Sequence, residues 1–491
     1  FFSLFLHFCK YFIMLARLSA YLKPVYSILP IILLLSLLSV CSTLYGQANT
    51  EQSDQDAFFI KEIYSTALSQ GKAYDWLTHL SEDIGGRLAG SAGAAAAVEY
   101  TRQLMDTLGL DTVWLQPCMV PRWVRGEQEV VRVTESVRGS LDLHATALGN
   151  SVGTGKKGVN AEIVEVFSLE EVDKMPEGSL QGKIVFYNRP MDPTQINTFS
   201  AYGSAVDQRV WGASTAAKKG AIAVLVRSMT PGLDHVPHTG TLGYREGIDK
   251  IPAVAVSTLD AELLHEMLQS APVKVYVRTT CYQLPDVQSY NVIGEIKGAT
   301  NPDEIILVGG HLDAWDNGGG AHDDGSGCVH SMEVLHLIHR LNYTPRRTIR
   351  CVLFMNEENG LAGARKYWDY SNKGGEFHLA AIESDAGGFT PRGFSVDGDE
   401  EIFTEKYRKV TEWLPLLEPY GLSFKKGGSG ADISGLKVQK GLLFGFRPDP
   451  QRYFDYHHTA NDRIEAVHPR ELLLGAASMM SLVYLLDTYG L

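Results

Sequence analysis

Apolar residues along the chain fall into short runs, and several of these runs end at carboxylates or histidines. The run Ile305–Val308 leads to His311. The run Ile349–Met355 leads to a pair of glutamates, and the run Ala380–Ile382 leads to Asp385. Runs of this length predict buried strands. Because ligands in open α/β sheets bind at the carboxyl ends of strands, we expect these polar residues to share one edge of a sheet.

Before that region, the pattern of apolar and polar residues changes twice along the chain. Residues 55–110 place apolar positions at helical spacing and predict helices that flank the sheet. From about 126 to 283, short β-like runs alternate with Gly and Pro, which predicts a separate β-rich segment. The chain is therefore expected to be an α/β protein with a β-rich segment in its first half.

Length and composition restrict the class of protein. A chain of 491 residues with 45% hydrophobic content is too long for one domain and buries ample core. Its formal net charge of −13 does not favour nucleic acid or an anionic membrane as a partner. No GxSxG string is expected to form a nucleophile elbow, and the cysteines beyond the first 46 residues form no CxxC pair. These features favour an enzyme without a serine or cysteine nucleophile.

The N-terminal residues have the layout of a secretory signal peptide. Basic residues follow Met14, where we expect the leader to start, and an apolar stretch follows over Ile28–Val40. We expect the leader to occupy residues 1–46 and the protein to be secreted or periplasmic. The apolar stretch is too short to predict a membrane span, so no membrane insertion is expected in the mature form. A lipid anchor at Cys41 is disfavoured because Val40 is large for the preceding position.

Five motifs in the C-terminal half carry the candidate chemistry, in the order GGHLDAWD, HDDGSG, MNEENG, ESDAGG and YHHTANDR. Zinc binds imidazole nitrogens and carboxylate oxygens, and two zinc ions can share a bridging carboxylate. The five candidate donors can be divided between two ions. Each ion receives two ligands of its own, and the remaining aspartate bridges the two ions. The expected metal ligands for two Zn²⁺ ions are His311 and Asp385, Glu358 and His458, and the bridging Asp323. No organic cofactor is expected.

Neighbours of these ligands have expected supporting roles. Glu357 lies beside a ligand and stays unbound, which suits a general base. Asp313, two residues after His311, is expected to take the imidazole proton on the far nitrogen and so fix the tautomer that binds metal. By the same argument Asp462 is expected behind His458.

Each motif alone also has a plainer interpretation. The glutamate pair is equally typical of a solvated acidic loop, and His311 with Asp313 is more typical of a surface pair. The Asp323-Asp324-Gly325 string is commonly only a turn. His235 and His238 are expected to be surface or lid residues of the insertion, and the helix carrying His336 and His339 is expected to be structural. The joint order of all five motifs at strand ends favours a catalytic metal site.

The motif order resembles the co-catalytic zinc exopeptidase family of aminopeptidases and glutamate carboxypeptidases, and is closest to its carboxypeptidase Q branch. RLAGSAG, VPRWVRGE, PHTGTLGYREGIDKIPAVAVS and GHLDAWDNGGGAHDDGSG extend this resemblance from about residue 58 to the C-terminus. The resemblance implies the same five ligands, with Glu357 as the catalytic glutamate. In this family the last metal ligand begins an H-T/S-x-x-D motif. This motif fits His458 and not His457.

The resemblance also implies an architecture. It predicts a mixed sheet flanked by helices, formed by residues 47–125 and 284–491. A protease-associated domain over residues 126–283 would be inserted between these parts and form one side of the cleft. Residues 285–289 would then be the return linker, and Asn291–Ile296 would restart the main sheet. A homodimer is a further implication of the resemblance.

The implied substrates are unblocked dipeptides or short peptides, so a free chain end has to be recognised. Candidates for this role, each also typical of a plain loop, are Tyr453, Tyr456, Arg447, Arg452 and the loop Gly427–Asp432. A broader aminopeptidase of the same family would share all five ligands. A non-catalytic binding relative is disfavoured, because such proteins usually lose ligands or the base.

Overall fold

The computed structural model describes residues 52–491. The expected leader over residues 1–46, its start at Met14 and the candidate anchor Cys41 lie outside the described residues. Residues 52–61 are helical and belong to a first unit that ends at Lys61. All elements discussed below belong to one compact unit, Glu62–Leu491.

Two eight-stranded sheets contain the strands of this unit. In chain order the strands are β1 Thr112–Val124, β2 Val130–Glu135, β3 Leu141–Leu143, β4 Ala145–Ala147, β5 Val159–Val166, β6 Ile184–Tyr187, β7 Ala223–Arg227, β8 Ala253–Val256, β9 Lys274–Arg278, β10 Tyr282–Ile296, β11 Asn301–His311, β12 Arg347–Phe354, β13 Phe377–Glu383, β14 Pro391–Gly398, β15 Ser423–Lys426 and β16 Leu442–Pro448.

Residues 62–70 of the unit are helical, and its other helices cover these sheets. They are α1 Ala73–Thr78, α2 Ala92–Asp106, α3 Leu169–Asp173, α4 Thr198–Gly203, α5 Asp207–Ala217, α6 Thr258–Ser270, α7 Ser326–Arg340, α8 Ala362–Gly374, α9 Glu400–Thr411, α10 Leu414–Leu417, α11 Tyr453–Tyr456 and α12 Pro469–Tyr489. Shorter turns with π or 3₁₀ geometry are His79–Ile84, Ala321–Gly325, Glu418–Tyr420, Ser434–Gln439 and Ile464–Ala466.

The first sheet has the order β1-β10-β12-β11-β13-β16-β14-β15 and is mixed. Its centre is parallel: β11 pairs in parallel with both β12 and β13, and β13 pairs in parallel with β16. His311 at the end of β11 pairs with Phe354 at the end of β12, so these two strands end together. The carboxyl ends of the central strands therefore form one edge of the sheet.

Helices pack on both faces of this sheet. Ile293 of β10 lies in a buried cluster with Ala364 and Tyr367 of α8. The next residue, Gly294, faces the opposite side, against Met105 of α2. Successive residues of the strand point to opposite faces of the sheet, so each face packs against its own layer of helices. The predicted α/β class, a mixed sheet flanked by helices, is confirmed.

The C-terminal helix α12 is the one described helix that is long and apolar enough to cross a membrane. Its most apolar 18 residues have a mean hydropathy of 1.4, and 78% of this stretch is buried inside the protein. Packing against α7 explains this apolar composition, as in the core helix of a globular domain.

The second sheet contains every described strand between Val130 and Arg278, in the order β3-β2-β9-β5-β6-β7-β8-β4. The chain leaves the first sheet after Val124 and re-enters it at Tyr282. This segment lies within the residues 126–283 expected to form the insertion. That it is a protease-associated domain stays a prediction.

The expected return linker at residues 285–289 is wrong, because these residues lie inside β10. Strand β1 is long enough to pair with them: Val120 pairs with Val287, and Pro117 pairs with Tyr290. The register shifts between Val120 and Arg122, opposite Pro285. A proline has no N–H to donate and is tolerated at such a bulge, so it did not end the strand here.

Candidate active site

The expected ligands all lie at the predicted edge of the first sheet. His311 ends β11, Glu358 lies in the turn after β12, and Asp385 follows β13. Asp323 lies in the irregular turn Ala321–Gly325, which precedes α7. His458 follows the short helix α11. Five side chains separated by up to 147 positions in the sequence therefore converge on one place.

Asp323 lies between two sets of donors. Its Oδ1 is 3.2 Å from His311 Nε2, and Asp385 Oδ1 lies 3.7 Å from the same nitrogen. Its Oδ2 is 3.3 Å from His458 Nε2, and Glu358 Oε2 lies 3.1 Å from that nitrogen. The two oxygens of Asp323 thus face one histidine–carboxylate pair each, which is the arrangement expected of a bridging carboxylate.

The chemistry of these donors suits metal cations. Within the described chain, Asp323 Oδ2 and Glu358 Oε1 accept no hydrogen bond although both are buried. Burying carboxylate oxygens without a partner is costly unless a cation is near. Burial, followed by the charge of Asp323, raises the pKa of Glu358 to about 7. A set of buried imidazole nitrogens and carboxylate oxygens is the ligand type of zinc.

Both adjacent histidines face this cluster. The rings of His457 and His458 stack with centroids 3.5 Å apart, and His457 Nε2 lies 3.8 Å from Asp323 Oδ2. His458 is closer to Asp323 and also contacts Glu358, so the geometry favours the residue chosen by the sequence. His458 has a φ of 63°, a left-handed conformation that is uncommon for a non-glycine residue and is often found at functional sites.

Asp313 does not act on His311 through its carboxylate as expected. The His311 Nδ1–H donates instead to the main-chain carbonyl of Asp313, at 2.8 Å. The Asp313 carboxylate accepts the main-chain N–H groups of Asn356 and Glu357, at 2.6 and 3.0 Å. A main-chain carbonyl, rather than the expected carboxylate, therefore orients the His311 ring, and the Asp313 carboxylate holds the turn that carries the two glutamates.

The expected place of Asp462 behind His458 is wrong. Its carboxylate accepts the N–H groups of His322 and Asp323, at 2.7 and 3.0 Å. Asp462 therefore positions the backbone of the central aspartate. What lies behind His458 is a carbonyl of the inserted segment, Thr239 O, 3.4 Å from His458 Nδ1.

Glu357 lies next to the donors without being enclosed by them. Its side chain is partly exposed and lines a cleft with a volume of about 270 Å³. Burial, together with the carboxylates of Asp385 and Glu358, holds the pKa of Glu357 well above its usual range. A raised pKa suits a group that accepts and later returns a proton near neutral pH.

One side of the cleft is formed by the insertion and the other by the loops at the edge of the first sheet. Residues of the insertion line it together with the metal-site residues: Phe199, Tyr202, Arg209, Thr241, Asp323, Glu357, Glu358, Asp385, Tyr453, Phe454, His457 and His458. The insertion therefore contributes directly to the surface that a substrate meets.

His238 departs from the expectation of a surface residue. It is buried, and its Nδ1–H donates to the main-chain carbonyl of His457 at 2.8 Å. The neighbouring Thr239 N–H donates to the His458 carbonyl at 3.0 Å. A single sequence gave no sign of these contacts, because they join positions about 220 residues apart. His336 and His339 lie on α7, as expected, and line a separate surface depression.

Sequence reasoning missed the role of Arg87. The side chain is fully buried and donates to the carbonyls of Leu312, Gly319 and Gly320, at 2.6, 2.7 and 2.8 Å. It therefore ties together the segments that follow His311 and precede Asp323. The RLAGSAG motif contributes only to the family resemblance, and its sequence does not indicate that the arginine is buried.

Asp324 has a structural role of its own beyond the expected turn. Its Oδ2 accepts the His311 N–H at 3.0 Å, and its Oδ1 accepts the Gly327 N–H at 2.9 Å. Gly320, just before this turn, has a φ of 58°, and a side chain there would collide with Ala314. The glycine run in this motif is thus required by the close approach of two ligand-bearing segments.

The candidates for recognising a chain end separate into two groups. Tyr453 lines the cleft, and Arg447 and Gly427 line an adjoining cavity. Tyr456 instead stacks on His322, with ring centroids 5.2 Å apart, and Arg452 lies over the ring of Phe389. The last two are therefore packing residues in this structure.

Comparisons with known proteins agree with this site. The model of peptidase family M28 matches residues 291–483. Carboxypeptidase Q from Bos taurus is 34% identical over 419 residues, which is 84% of this chain and 84% of the bovine protein. An M28 peptidase precursor from Shewanella amazonensis SB2B has a similar structure, with a TM-score of 0.83 and 33% identity over 89% of this chain and 97% of that one.

A zinc aminopeptidase from Bacillus subtilis shares the fold at lower identity. Its TM-score is 0.59, with 23% identity over 84% of this chain and 94% of that one. The match to carboxypeptidase Q, at more than 30% identity over most of both chains, is the stronger finding. The chain is therefore a metallo-exopeptidase and belongs to peptidase family M28.

Proposed function

We propose that this protein is an exported di-zinc exopeptidase that hydrolyses unblocked dipeptides or short peptides. The observation that carries the proposal is the position of Asp323 between two histidine–carboxylate pairs, with Glu357 beside them in the cleft. Export rests on the leader expected over residues 1–46. A protease-associated identity for residues 126–283 and a homodimer rest on the resemblance alone.

The proposed ligands divide between two ions. His311 and Asp385 would hold one, Glu358 and His458 the other, and Asp323 would contact both. When bound, such ions lower the pKa of a water molecule and polarise the scissile carbonyl. The residues present fit this role because four of the five side chains are at most 9% exposed, Asp385 is 24% exposed, and their donor atoms face a common centre.

The chain itself supplies the proton transfers. Glu357 takes a proton from the attacking water and then gives it to the leaving amine. Its place in the turn after β12 is held by Asp313, whose carboxylate accepts the Glu357 N–H. Phe199, Tyr202 and Arg209 of the insertion line the cleft beside the metal site. A wall at this place would favour short substrates.

A cationic cavity beside the cleft supports recognition of a free carboxylate. This cavity has a volume of about 430 Å³, and Phe199 lines both it and the cleft. Ala386, the residue after Asp385, also lines it. Its basic side chains are Arg392, Lys425, Lys426 and Arg447. A C-terminal carboxylate is the group on a short peptide that such a cavity would attract.

The alternative function is a broader aminopeptidase of the same family. The acidic side chains of Glu357, Glu358 and Asp385 in the cleft would suit a free amine. Both alternatives use the same ligands and base, so they differ only in the chain end that is recognised.

The experiment is hydrolysis of free, N-blocked and C-blocked dipeptides by the zinc-loaded protein, beside the Glu357→Gln variant. We expect cleavage of free dipeptides, loss of cleavage with either block, and loss with the variant although zinc stays bound. Efficient cleavage of C-blocked dipeptides would favour the aminopeptidase. Absence of cleavage by a protein that holds two ions would contradict the proposed function.

A further inference from the structure

Three side chains of the insertion converge at a place separate from the catalytic cleft. His144 Nδ1 lies 3.0 Å from Asp260 Oδ2, and His235 Nδ1 lies 3.6 Å from Asp260 Oδ1. One donor atom from each of the three lies within 4.8 Å of the other two. None of the three lines the catalytic cleft. The proposed function does not use them.

Each member of this cluster is placed by a different element. His144 joins β3 to β4, His235 lies in the loop after β7, and Asp260 lies in the first turn of α6. The Asp260 side chain is 4% exposed, and its Oδ2 also accepts the His144 N–H at 2.6 Å. The carboxylate is therefore fixed in place, with one oxygen toward each imidazole.

The two histidine side chains stay open to solvent, with 55% and 57% of their surface exposed. Their ring centroids are 4.4 Å apart and their planes are tilted by 34°. An ion could reach the nitrogens without any rearrangement of the core. Water could occupy the remaining positions around such an ion.

A histidine–carboxylate pair elsewhere in the insertion differs in geometry from this cluster. His265 Nδ1, also on α6, lies 2.9 Å from both oxygens of Glu165, so a single imidazole contacts both carboxylate oxygens. At Asp260 the two oxygens are divided between two rings. Two imidazoles and one carboxylate on one centre form a ligand set of zinc and similar divalent ions.

We propose that His144, His235 and Asp260 bind a divalent transition-metal ion of the zinc type, outside the catalytic site. The position of this site gives the ion a structural task. Three residues after His235, His238 donates to the His457 carbonyl, and Thr239 donates to the His458 carbonyl. An ion at the cluster would anchor the base of this loop to α6 and steady the segment behind the catalytic histidines.

The test is the cobalt content of the full-length protein after metal removal, reloading with Co²⁺ and gel filtration. The double variant His144→Gln/His235→Gln is expected to retain one ion per chain fewer than the wild type. The His265→Gln variant is the matched control and is expected to retain the wild-type content. Equal cobalt content in the double variant and the wild type would overturn the proposal.

A second comparison separates this site from the catalytic one. In an Asp323→Asn background, where catalytic metal binding is impaired, a remaining ion is expected that disappears when the two histidine changes are added. Limited proteolysis of residues 228–241 should become faster in the double variant, and Co²⁺ should no longer slow it. Loss of all cobalt from the Asp323→Asn protein alone, with its fold intact by circular dichroism, would also contradict the proposal.

Discussion

The carboxylate of Asp313 accepts a hydrogen bond at 3.0 Å from the main-chain N–H of Glu357. The same oxygen accepts the N–H of Asn356 at 2.6 Å. A side chain two residues beyond a histidine of the site thus controls the turn that carries the proposed base. The link joins the ends of β11 and β12, the strands whose last residues pair with each other.

The Asp313→Ala variant should therefore disturb the base more than the histidine. We expect kcat to fall about 10- to 100-fold, the range found for groups that orient catalytic ligands. Asp313→Asn keeps an acceptor oxygen and should lose less. Steady-state kinetics and zinc titration of both variants check this, and unchanged kcat in Asp313→Ala would show that the turn keeps its place without the carboxylate.

Arg87 should make a large contribution to stability. The Arg87→Lys variant would leave buried carbonyls of Leu312, Gly319 and Gly320 without their donors, since an ammonium cannot reproduce the planar fork. We expect the free energy of unfolding to fall by about 2–4 kcal/mol. Urea unfolding measures this loss.

Arg102→Lys is the matched control for Arg87→Lys. Arg102 lies on the surface of α2 and pairs with Glu99 and Asp106. Exposed ion pairs contribute about 1 kcal/mol or less. Equal losses in the two variants would refute the special role of the buried arginine.

Glu333 predicts a specific pH dependence of stability. Burial raises its pKa to about 7, against the hydrogen bond from the Lys72 N–H. An acid whose pKa is higher in the folded protein binds its proton there more tightly than in the unfolded chain. Its contribution to stability is therefore greatest below the unfolded pKa, near 4.5, and is lost as the pH rises toward 7.

The Glu333→Gln variant removes this titration and keeps an acceptor for Lys72. Relative to the wild type, it should gain about 1–3 kcal/mol of unfolding free energy between pH 4.5 and pH 8. Denaturant unfolding at pH 5 and pH 8 measures the change. A difference between the two proteins that stays constant with pH would rule out the raised pKa.

Removal of metal should destabilise the folded protein. The buried oxygens of Asp323 and Glu358 lack hydrogen bonds within the described chain, so a cation there binds the folded state in preference to the unfolded one. At 100 times the dissociation constant, such binding contributes about 2.7 kcal/mol. Thermal unfolding with a chelator and after return of zinc should show a reversible fall in Tm. In the His458→Ala variant the response should be smaller.

Arg447 should distinguish the two ends of a substrate. The Arg447→Gln variant is expected to raise KM about 10-fold for free dipeptides, the loss of one charge-assisted contact. It should leave any residual hydrolysis of C-terminal amides unchanged. Arg392→Gln is the control, because Arg392 is more exposed and pairs with Asp449 at 2.8 Å. Equal effects on acid and amide substrates would place the carboxylate elsewhere.

The position of the site was predictable because it depends on local pattern. The apolar runs that end at His311 and Asp385 are buried strands, and parallel strands bring their ends to one edge. The roles of Asp313 and Asp462 were not predictable in the same way. The turn geometry determines whether the carboxylate or the main-chain carbonyl of an aspartate faces a histidine. The spacing of residues in the sequence does not reveal this geometry.

Long-range contacts limited the prediction of the fold as well. Pro285 suggested a linker, yet the length of β1 opposite it decides that the segment pairs as a strand. His238 looked like a loop histidine, and its burial depends on contact with His457, about 220 positions later in the chain. Both errors concern residues whose environment is supplied by a distant part of the chain.

The pairing of β1 with β10 has a consequence for synthesis on the ribosome. Strand β1 lies at the edge of its sheet and pairs only with β10, so it has no partner until the intervening insertion has emerged. An unpaired strand with apolar positions such as Val120 is a hazard for aggregation. Val124 and Tyr282, at the two ends of the insertion, pair with each other, so a folded insertion holds the two strands next to each other at the start of their register. We therefore expect folding of the insertion to shorten the time during which β1 is unpaired.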